Sequence, residues 1–358
     1  MKSKKTIFFL YLFILSIGIF MWNPSTTTSI KQSNKKMDLV LSTTFNSPIQ
    51  IDDFPSSLNN WSWAKSQGYC IGSGTQSDPY IIQNHIFNTS TISASCLEIY
   101  NSRKHFIVRN CFFIGSSSWA GIELYNVTNG VITKNSNKAY TGALVYMMNS
   151  SYISITNNNA SYNSFYGIYL AASPGSISRN IISNNLIEKN NIYGIYIAAD
   201  GYFNEISENR VLSNDFGIGF AVGNSNNTVT KNEIKNNLLG LVCDFSCDGN
   251  MINLNCFENN TLHALDLGSY NRWDDGFKGN YWDNYTGSDT DSNGIGDIPH
   301  NITGSAGSKD YFPLMACPFP SVAGIPGYSL PILTGTLFFM VTVGIYLAIK
   351  KQRFRLKK

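Results

Sequence analysis

A short apolar line built round glycine returns through the middle of the sequence about every 24 residues. Its copies are SCLEI (Ser95 to Ile99), AGIEL, TGALV, YGIYL (Tyr166 to Leu170), YGIYI, FGIGF, LGLVC and HALDL. Their second residues are Cys96, Gly121, Gly142, Gly167, Gly194, Gly217, Gly240 and Ala264, at steps of 25, 21, 25, 27, 23, 23 and 24. A second line, I-x-x-N, runs beside the first. Its asparagines are Asn110, Asn135, Asn158, Asn185, Asn209, Asn232 and Asn255, each three residues after a β-branched Ile or Val. Asn163, Asn190, Asn214, Asn237 and Asn260 follow five residues behind the later ones.

A chain that repeats at this period with short strands and no helical rhythm stacks one unit on the next. Leucine-rich repeats share the length but need an L-x-x-L-x-L frame that is absent, and propeller blades are longer. The sequence therefore predicts an all-β fold, a single-stranded right-handed parallel β-helix with one coil per repeat. Equivalent residues then pile up about 4.8 Å apart. Stacked asparagines can hydrogen-bond to each other and to the turns, so these asparagines read as structural.

Strand alternation separates inside from outside. Counting from the second residue of each line, positions +1 and +3 are apolar throughout and face the core. Position +2 faces solvent and reads Glu98, Glu123, Leu144, Tyr169, Tyr196, Gly219, Val242 and Asp266. Position +4 begins Tyr100, Tyr125 and Tyr146, and position −1 supplies Tyr166, Tyr193 and Phe216. One wall is thus expected to be aromatic, with two acids at its early end. Tyr100, Tyr125, Tyr146, Tyr166, Tyr169, Tyr193 and Tyr196 are candidate ligand-binding residues, because aromatic surfaces dock the CH faces of sugars; tyrosine rungs that only stiffen the wall are the other reading. Glu98 and Glu123, on adjacent coils, are the candidate catalytic pair. Carboxylates about 5 to 5.5 Å apart suit a retaining glycosidase, and mutual repulsion raises one of the two pKa values. The same pair can also bind a cation or sit idle on the surface.

Asp289, Asp291, Asn293 and Asp297, with Gly294 between, read D-x-D-x-N-G-x-x-D, a spacing of oxygen ligands that suits Ca²⁺. The twelfth position is His300, not the bidentate Glu of a full EF-hand loop. A cap loop held together by its own Asx turns is the alternative.

The two ends differ from the middle. Lys2, Lys4 and Lys5 precede an apolar run from Ile7 to Trp22, a signal peptide or signal anchor. Tyr328 to Ile349 carries no charge and is followed by KKQRFRLKK, a single membrane span with a cytoplasmic basic tail. The expected divisions are 1–30 for the signal segment, 31–67 for a linker and lead-in, 68–270 for the coils, 271–320 for an Asp-rich cap, and 321–358 for the anchor. The coils are then outside the cell, tethered to its membrane. Charged residues are only 14 % of the chain, and the basic ones gather at the ends, so the net charge of +3 does not point to nucleic acid. Sequons at Asn60, Asn88, Asn126, Asn149, Asn159, Asn226, Asn259, Asn284 and Asn301 suit an exported glycoprotein. Of seven cysteines, Cys96 with Cys111, and two of Cys243, Cys247 and Cys256, are candidate disulfides; buried small apolar residues are the alternative.

The coil pattern N-x-I-x-x-N…GI-x-L resembles the repeats of the NosD-like and CASH (carbohydrate-binding and sugar hydrolase) proteins of the pectin-lyase-like superfamily. GYCIGSGTQSDPYIIQN (Gly68 to Asn84) resembles the lead-in of archaeal surface proteins of this type. GNYWDNYTGSDTDSNGIGD (Gly279 to Asp297) and DYFPLM (Asp310 to Met315) resemble their closing segment. The resemblance covers roughly 68 to 315 and implies the β-helix fold. For function it implies a surface protein binding carbohydrate or another extracellular partner. A polysaccharide hydrolase or lyase, NosD-like copper handling, or a structural stalk are the alternatives. Copper calls for His, Met and Cys, and here the histidines are scattered along the sequence.

Overall fold

A computed structural model describes residues 43–319 except 173, 174 and 176. The predicted signal segment and membrane anchor lie outside the described residues. Among those described, no helix is long and apolar enough to cross a membrane.

The β-branched repeats build a right-handed parallel β-solenoid of about eight turns. Its first wall is a nine-stranded parallel sheet that runs from Ile49–Asp52 through Leu97–Tyr100, Ala120–Tyr125, Ala143–Met148, Tyr166–Ala171 and Tyr193–Ile197 to Leu262–Asp266. A second, eight-stranded wall extends from Tyr80–Gln83 to Met251–Asn253. The third wall has a four-stranded and a five-stranded section, joined by bridges from Asn159 to Ser136 and Leu186. The inward Ile, Leu, Val and Phe side chains of all three walls form one continuous core.

Register decides which side chains belong together, and it corrects the sequence frame at three places. In the fourth strand of the first wall, Val145 pairs with Ile122 and Ile168, so Leu144, not Gly142, holds the glycine position. Leu144 is fully buried, and Tyr146 stands in the outer column between Glu123 and Tyr169. In the last strand Leu241 pairs with Ala264 and Cys243 with Asp266. The frame there slips by one residue, which swaps faces: Asp266 points into the core, fully buried. In the second wall Val108, not Ile107, pairs with Ile132. Cys111 therefore takes the ladder position expected for Asn110, its backbone N–H donating to Asn135 Oδ1 at 3.0 Å.

The glycine position has a direct cause. A Cβ on Gly167, Gly194, Gly217 or Gly240 would lie 2.6, 2.7, 2.4 or 2.4 Å from a carbonyl oxygen of the next coil. The asparagines form three buried files. One runs Asn135, Asn158, Asn185, Asn209, Asn232, Asn255, Asn280 and another Asn163, Asn190, Asn214, Asn237, Asn260. A third, Asn180, Asn204, Asn227, Asn250, Asn271, is the leading N of the N-x-I-x-x-N pattern. In each file one Oδ1 accepts the backbone N–H and the Nδ2 of the asparagine one coil before. Turns that would bury bare N–H groups are satisfied this way. The residue ahead of the longest file is left-handed in coil after coil, as at Asn110, Lys134, Asn157, Asn184 and Glu208.

Both ends of the core are covered. The short helix Trp61–Ser66, capped by Asn60, lays Trp61 on Tyr80 at 4.6 Å, and the indole N–H donates to Ser102 Oγ at 2.8 Å. At the far end Trp282 stacks on Phe257 at 4.4 Å beside Trp273. Asp266 accepts hydrogen bonds from Trp273 Nε1, Ser308 Oγ, Asn271 Nδ2 and the Gly268 N–H. Asp310 accepts from Trp282 Nε1, Asn280 N–H and Phe312 N–H. A disulfide joins Cys256 to Cys317. The expected Cys96–Cys111 bond and a bond within the Cys243, Cys247 and Cys256 group are not formed. Cys70, Cys96, Cys111, Cys243 and Cys247 are buried free thiols facing the apolar core, and Cys256 is taken by a cysteine of the closing segment.

Candidate functional site

Because the coils are in register, one outward column of the first wall reads Gln50, Glu98, Glu123, Tyr146, Tyr169, Tyr196. Tyr166, Tyr193 and Phe216 form a second column beside it. The rings interlock. Tyr146 stacks on Tyr169 at 4.8 Å and 7°, Tyr193 on Tyr196 at 4.3 Å, and Tyr193 on Phe216 at 4.7 Å. Tyr166 lies 4.8 Å from Tyr169 and 6.0 Å from Tyr196, closing the array. A side chain at Gly219 would strike the rings of Tyr193 and Tyr196, so the array ends where the wall becomes smooth. Tyr100 and Tyr125 meet edge to face at 6.0 Å, next to the acids rather than within the array.

All the array tyrosines are half-buried. Burial pushes the Tyr146, Tyr166 and Tyr169 hydroxyls above their ordinary pKa, and Tyr196 up to about 12. They are therefore protonated donors at any physiological pH. Since the rings cover one another's faces, a bound chain would meet ring edges and hydroxyls more than open faces.

Glu98 and Glu123 pair directly across adjacent strands. Burial and then the neighbouring Glu123 charge raise the Glu98 carboxyl, while hydrogen bonds from Tyr100 and Gln50 oppose the shift. Glu123 accepts from Ser95 Oγ at 2.7 Å and Tyr100 OH at 3.0 Å. Glu98 thus carries a raised carboxyl beside a second carboxylate that Ser95 and Tyr100 hold in place.

The closing loop is exposed and folded on itself. Asp289 accepts from the N–H groups of Asn293 and Gly294, and Asp291 from Asn293. Asp297 turns instead to Thr290 N–H and Ser288 Oγ, and those bonds hold its pKa down. The four expected ligands share one loop, with Thr290 bonded to Asp297 between Asp289 and Asp291. Among the described residues the one trio of His, Cys, Asp or Glu with ligand atoms within 4.8 Å is Cys256, Glu258 and Cys317.

Folding gathers two histidines that the sequence scatters. His300 stacks on Trp282 at 4.6 Å, and His263 lies 6.1 Å from the same ring. Asn260 Nδ2 lies 3.3 Å from His263 Nδ1, and His263 Nε2 meets Asp283 at 2.8 Å. Burial pushes His300 down to about 4, with the His263 ring adding to the effect. An unfolded His binds its proton near pH 6.5, so between pH 4 and 6.5 the unfolded chain holds a proton that the folded one lacks. His300 therefore makes stability rise with pH across that window. Asp310, pushed by burial up to about 6, acts in the opposite sense. The melting temperature of wild type minus that of His300→Phe is expected to rise from pH 4.5 to 7. A constant gap would show that His300 titrates normally.

A region the sequence reading missed lies at the corner between the first and second walls. A groove of about 450 Å³ is lined there by Arg103, Tyr125, Asn126, Thr128, Asn149 and Ser151. Further along, Arg179 sits between the exposed rings of Tyr152 and Phe203. Of these, Tyr125 is already a candidate from the repeated line; the others lie in turns where the residue type changes from coil to coil, so the repeat does not single them out.

Residues 75–200 and 114–287 match the sequence family described as Periplasmic copper-binding protein (NosD), together more than half of the chain. No curated protein matches it. Among solved structures, the A-module of mannuronan C-5 epimerase AlgE6 from Azotobacter vinelandii aligns with a TM-score of 0.38 at 14% identity, over 63% of this chain and 69% of that one. The A-module of AlgE4 from the same organism gives 0.33 at 12%, over 65% and 95%.

The described residues do not fit a copper site. Both His263 ring nitrogens face partners, and the Cys256 and Cys317 sulfurs are bonded to each other. The free thiols are held protonated by burial, with Cys70 near 11, Cys111 and Cys247 near 12, and Cys243 well above the ordinary thiol value. Copper needs thiolate, thioether or imidazole donors that converge.

Proposed function

The chain belongs to the NosD family, and we propose that it binds polysaccharide outside the cell along its tyrosine wall. One observation carries the reading: the register that places Tyr146, Tyr169 and Tyr196 in one column, flanked by Tyr166 and Tyr193, on an outward face. A wall with rungs about 4.8 Å apart offers a linear chain repeated contacts of one kind. Hydroxyl donors and ring edges then supply both hydrogen bonds and apolar area. The sequence-read signal segment and C-terminal span belong to this reading, since they put the wall outside and tether it to the membrane. Calcium held by Asp289, Asp291, Asn293 and Asp297 belongs to it too, as a clamp on the closing loop.

The full-length chain, run through gels containing individual polysaccharides, is expected to be retarded by at least one. Changing Tyr169 and Tyr196 together to Ala removes two rings worth roughly 1–3 kcal/mol, about a fivefold to 150-fold loss of affinity. Retardation that is unchanged in the double variant would rule out the wall.

The raised Glu98 carboxyl beside Glu123 supports a second reading, a glycoside hydrolase or lyase on the same wall. New reducing ends or unsaturated products, lost in Glu123→Gln, would favour it. Neither binding nor products would leave a structural stalk.

A further inference from the structure

We infer that the corner between the first and second walls is a subsite for an anionic polysaccharide, a proposal that rests on the glycan-binding reading and names its ligand class. The turn before five successive second-wall strands, from Gly130–Thr133 to Thr228–Thr230, uses one left-handed residue, with φ of 62° at Asn129, 59° at Tyr152, 55° at Arg179, 56° at Phe203 and 55° at Asn226. Asn takes this conformation readily, whereas bulky side chains take it against a steric penalty. Tyr152 and Phe203 nevertheless occupy it with their rings 54% and 57% exposed. Core packing does not explain aromatic residues at these two positions.

Arg179 joins them. Its Cζ lies 5.7 Å from the Tyr152 ring centroid and 5.6 Å from that of Phe203. A guanidinium between two rings keeps its N–H edge free for a planar anion. At the other end of the corner, Arg103 is held by Asn126. Nη1 donates to the backbone carbonyl at 2.9 Å and Nη2 to Oδ1 at 2.9 Å. That fixes the cation at the mouth of the groove, with Tyr125 and the hydroxyls of Thr128 and Ser151 around it. Among the described residues neither Arg103 nor Arg179 forms an ion pair, although Arg210, Lys235 and His263 do.

The two arginines are three coils apart, about 14 Å along the axis at about 4.8 Å per coil. A linear chain lying on the corner therefore meets charge, hydroxyls, an aromatic face and charge again. Carboxylate or sulfate groups satisfy the arginines, and sugar CH faces suit Tyr152 and Phe203. Two preorganised cations are too few to track a phosphate backbone by counterion release, which favours a polysaccharide over a nucleic acid.

The test compares the full-length chain on dextran, dextran sulfate and hyaluronan by affinity electrophoresis across a salt series. Dextran sulfate should bind roughly tenfold or more tightly than dextran at low salt, with the advantage shrinking as salt rises. Changing Arg103 and Arg179 together to Gln should erase that advantage, and changing both to Lys should restore part of it. The Tyr169 and Tyr196 double variant should weaken both dextrans alike. Hyaluronan separates a carboxylate preference from a sulfate preference. Equal binding of the two dextrans, or an unchanged Gln double variant, overturns the anionic subsite and leaves the glycan-binding reading standing. A chain that binds none of these polymers nor any other polysaccharide loses both. A thymidine oligonucleotide bound as tightly as dextran sulfate also overturns the polysaccharide assignment.

Discussion

Asn209→Ala is expected to destabilise the solenoid severely while its neighbour in the previous turn, Asn184→Ala, does little. Asn209 Oδ1 accepts the Asn185 backbone N–H at 3.0 Å and Asn185 Nδ2 at 2.9 Å. Its own Nδ2 donates to the Ile182 carbonyl at 2.7 Å and to Asn232 Oδ1 at 3.0 Å. All of these groups are buried, and no water reaches them once the side chain is cut back. Asn185 Nδ2 keeps the Ile155 carbonyl and Asn232 Oδ1 keeps the residue 209 backbone N–H, so two groups lose this partner at about 1–3 kcal/mol each, a loss of order 2–6 kcal/mol. That is a large share of the roughly 5–15 kcal/mol that holds a folded domain. Asn184 is exposed and left-handed at φ 57°, so its replacement costs only about 1–2 kcal/mol of backbone strain. Urea unfolding followed by circular dichroism compares the two. Equal midpoints would mean that the asparagine files are decoration.

The second large effect is expected at Asp266→Asn. Asp266 is fully buried and collects four donors: Trp273 Nε1 at 2.9 Å, Ser308 Oγ at 2.8 Å, Asn271 Nδ2 at 2.9 Å and the Gly268 N–H at 3.0 Å. The amide is the same size, but one of its ends is itself a donor and turns against two of these groups. A loss of about 3–6 kcal/mol follows, since hydrogen bonds to a buried charge are worth about 1.5–3 kcal/mol each. Because contacts in a solenoid run between neighbouring coils, the damage should stay at the closing end. Limited proteolysis is expected to cut within 267–319 well before the coils unfold, with a red shift of tryptophan emission. Asp248→Asn, on an exposed side chain, is the control. An identical cleavage pattern for the two variants would sink the assignment.

Much of the solenoid could be read directly. The step between GIYL-like lines located the coils, and the I-x-x-N line located a buried asparagine file. The outward face of the middle coils followed from alternation, so Tyr169 and Tyr196 came out on the expected side. Where the reading went astray, the chain was locally ambiguous. TGALV offers a glycine in the right place, yet Leu144 fills that position and Tyr146 joins the outer column. HALDL fits the pattern in either of two frames, and only pairing with the Leu239–Cys243 strand turns Asp266 inward.

The cysteines and the corner show the same limit. Spacing brought Cys96 near Cys111 on paper, but each thiol packs in the core, and the bond forms between Cys256 and Cys317, 61 residues apart. Tyr152, Arg179 and Phe203 recur at one coil position, three residues before the Ile of the I-x-x-N line, but their residue types differ and Arg103 lies outside that column, so the repeat did not mark them as a group.

The sequence by itself determined that this chain coils, how long each coil is and which strand faces are apolar, because those properties are periodic and each repeat carries them locally. Tertiary structure alone decided the register of the irregular coils, the partners of the buried acids, histidines and cysteines, and which outward side chains meet. Those depend on pairing between residues more than twenty positions apart, where a shift of a single residue exchanges inside for outside.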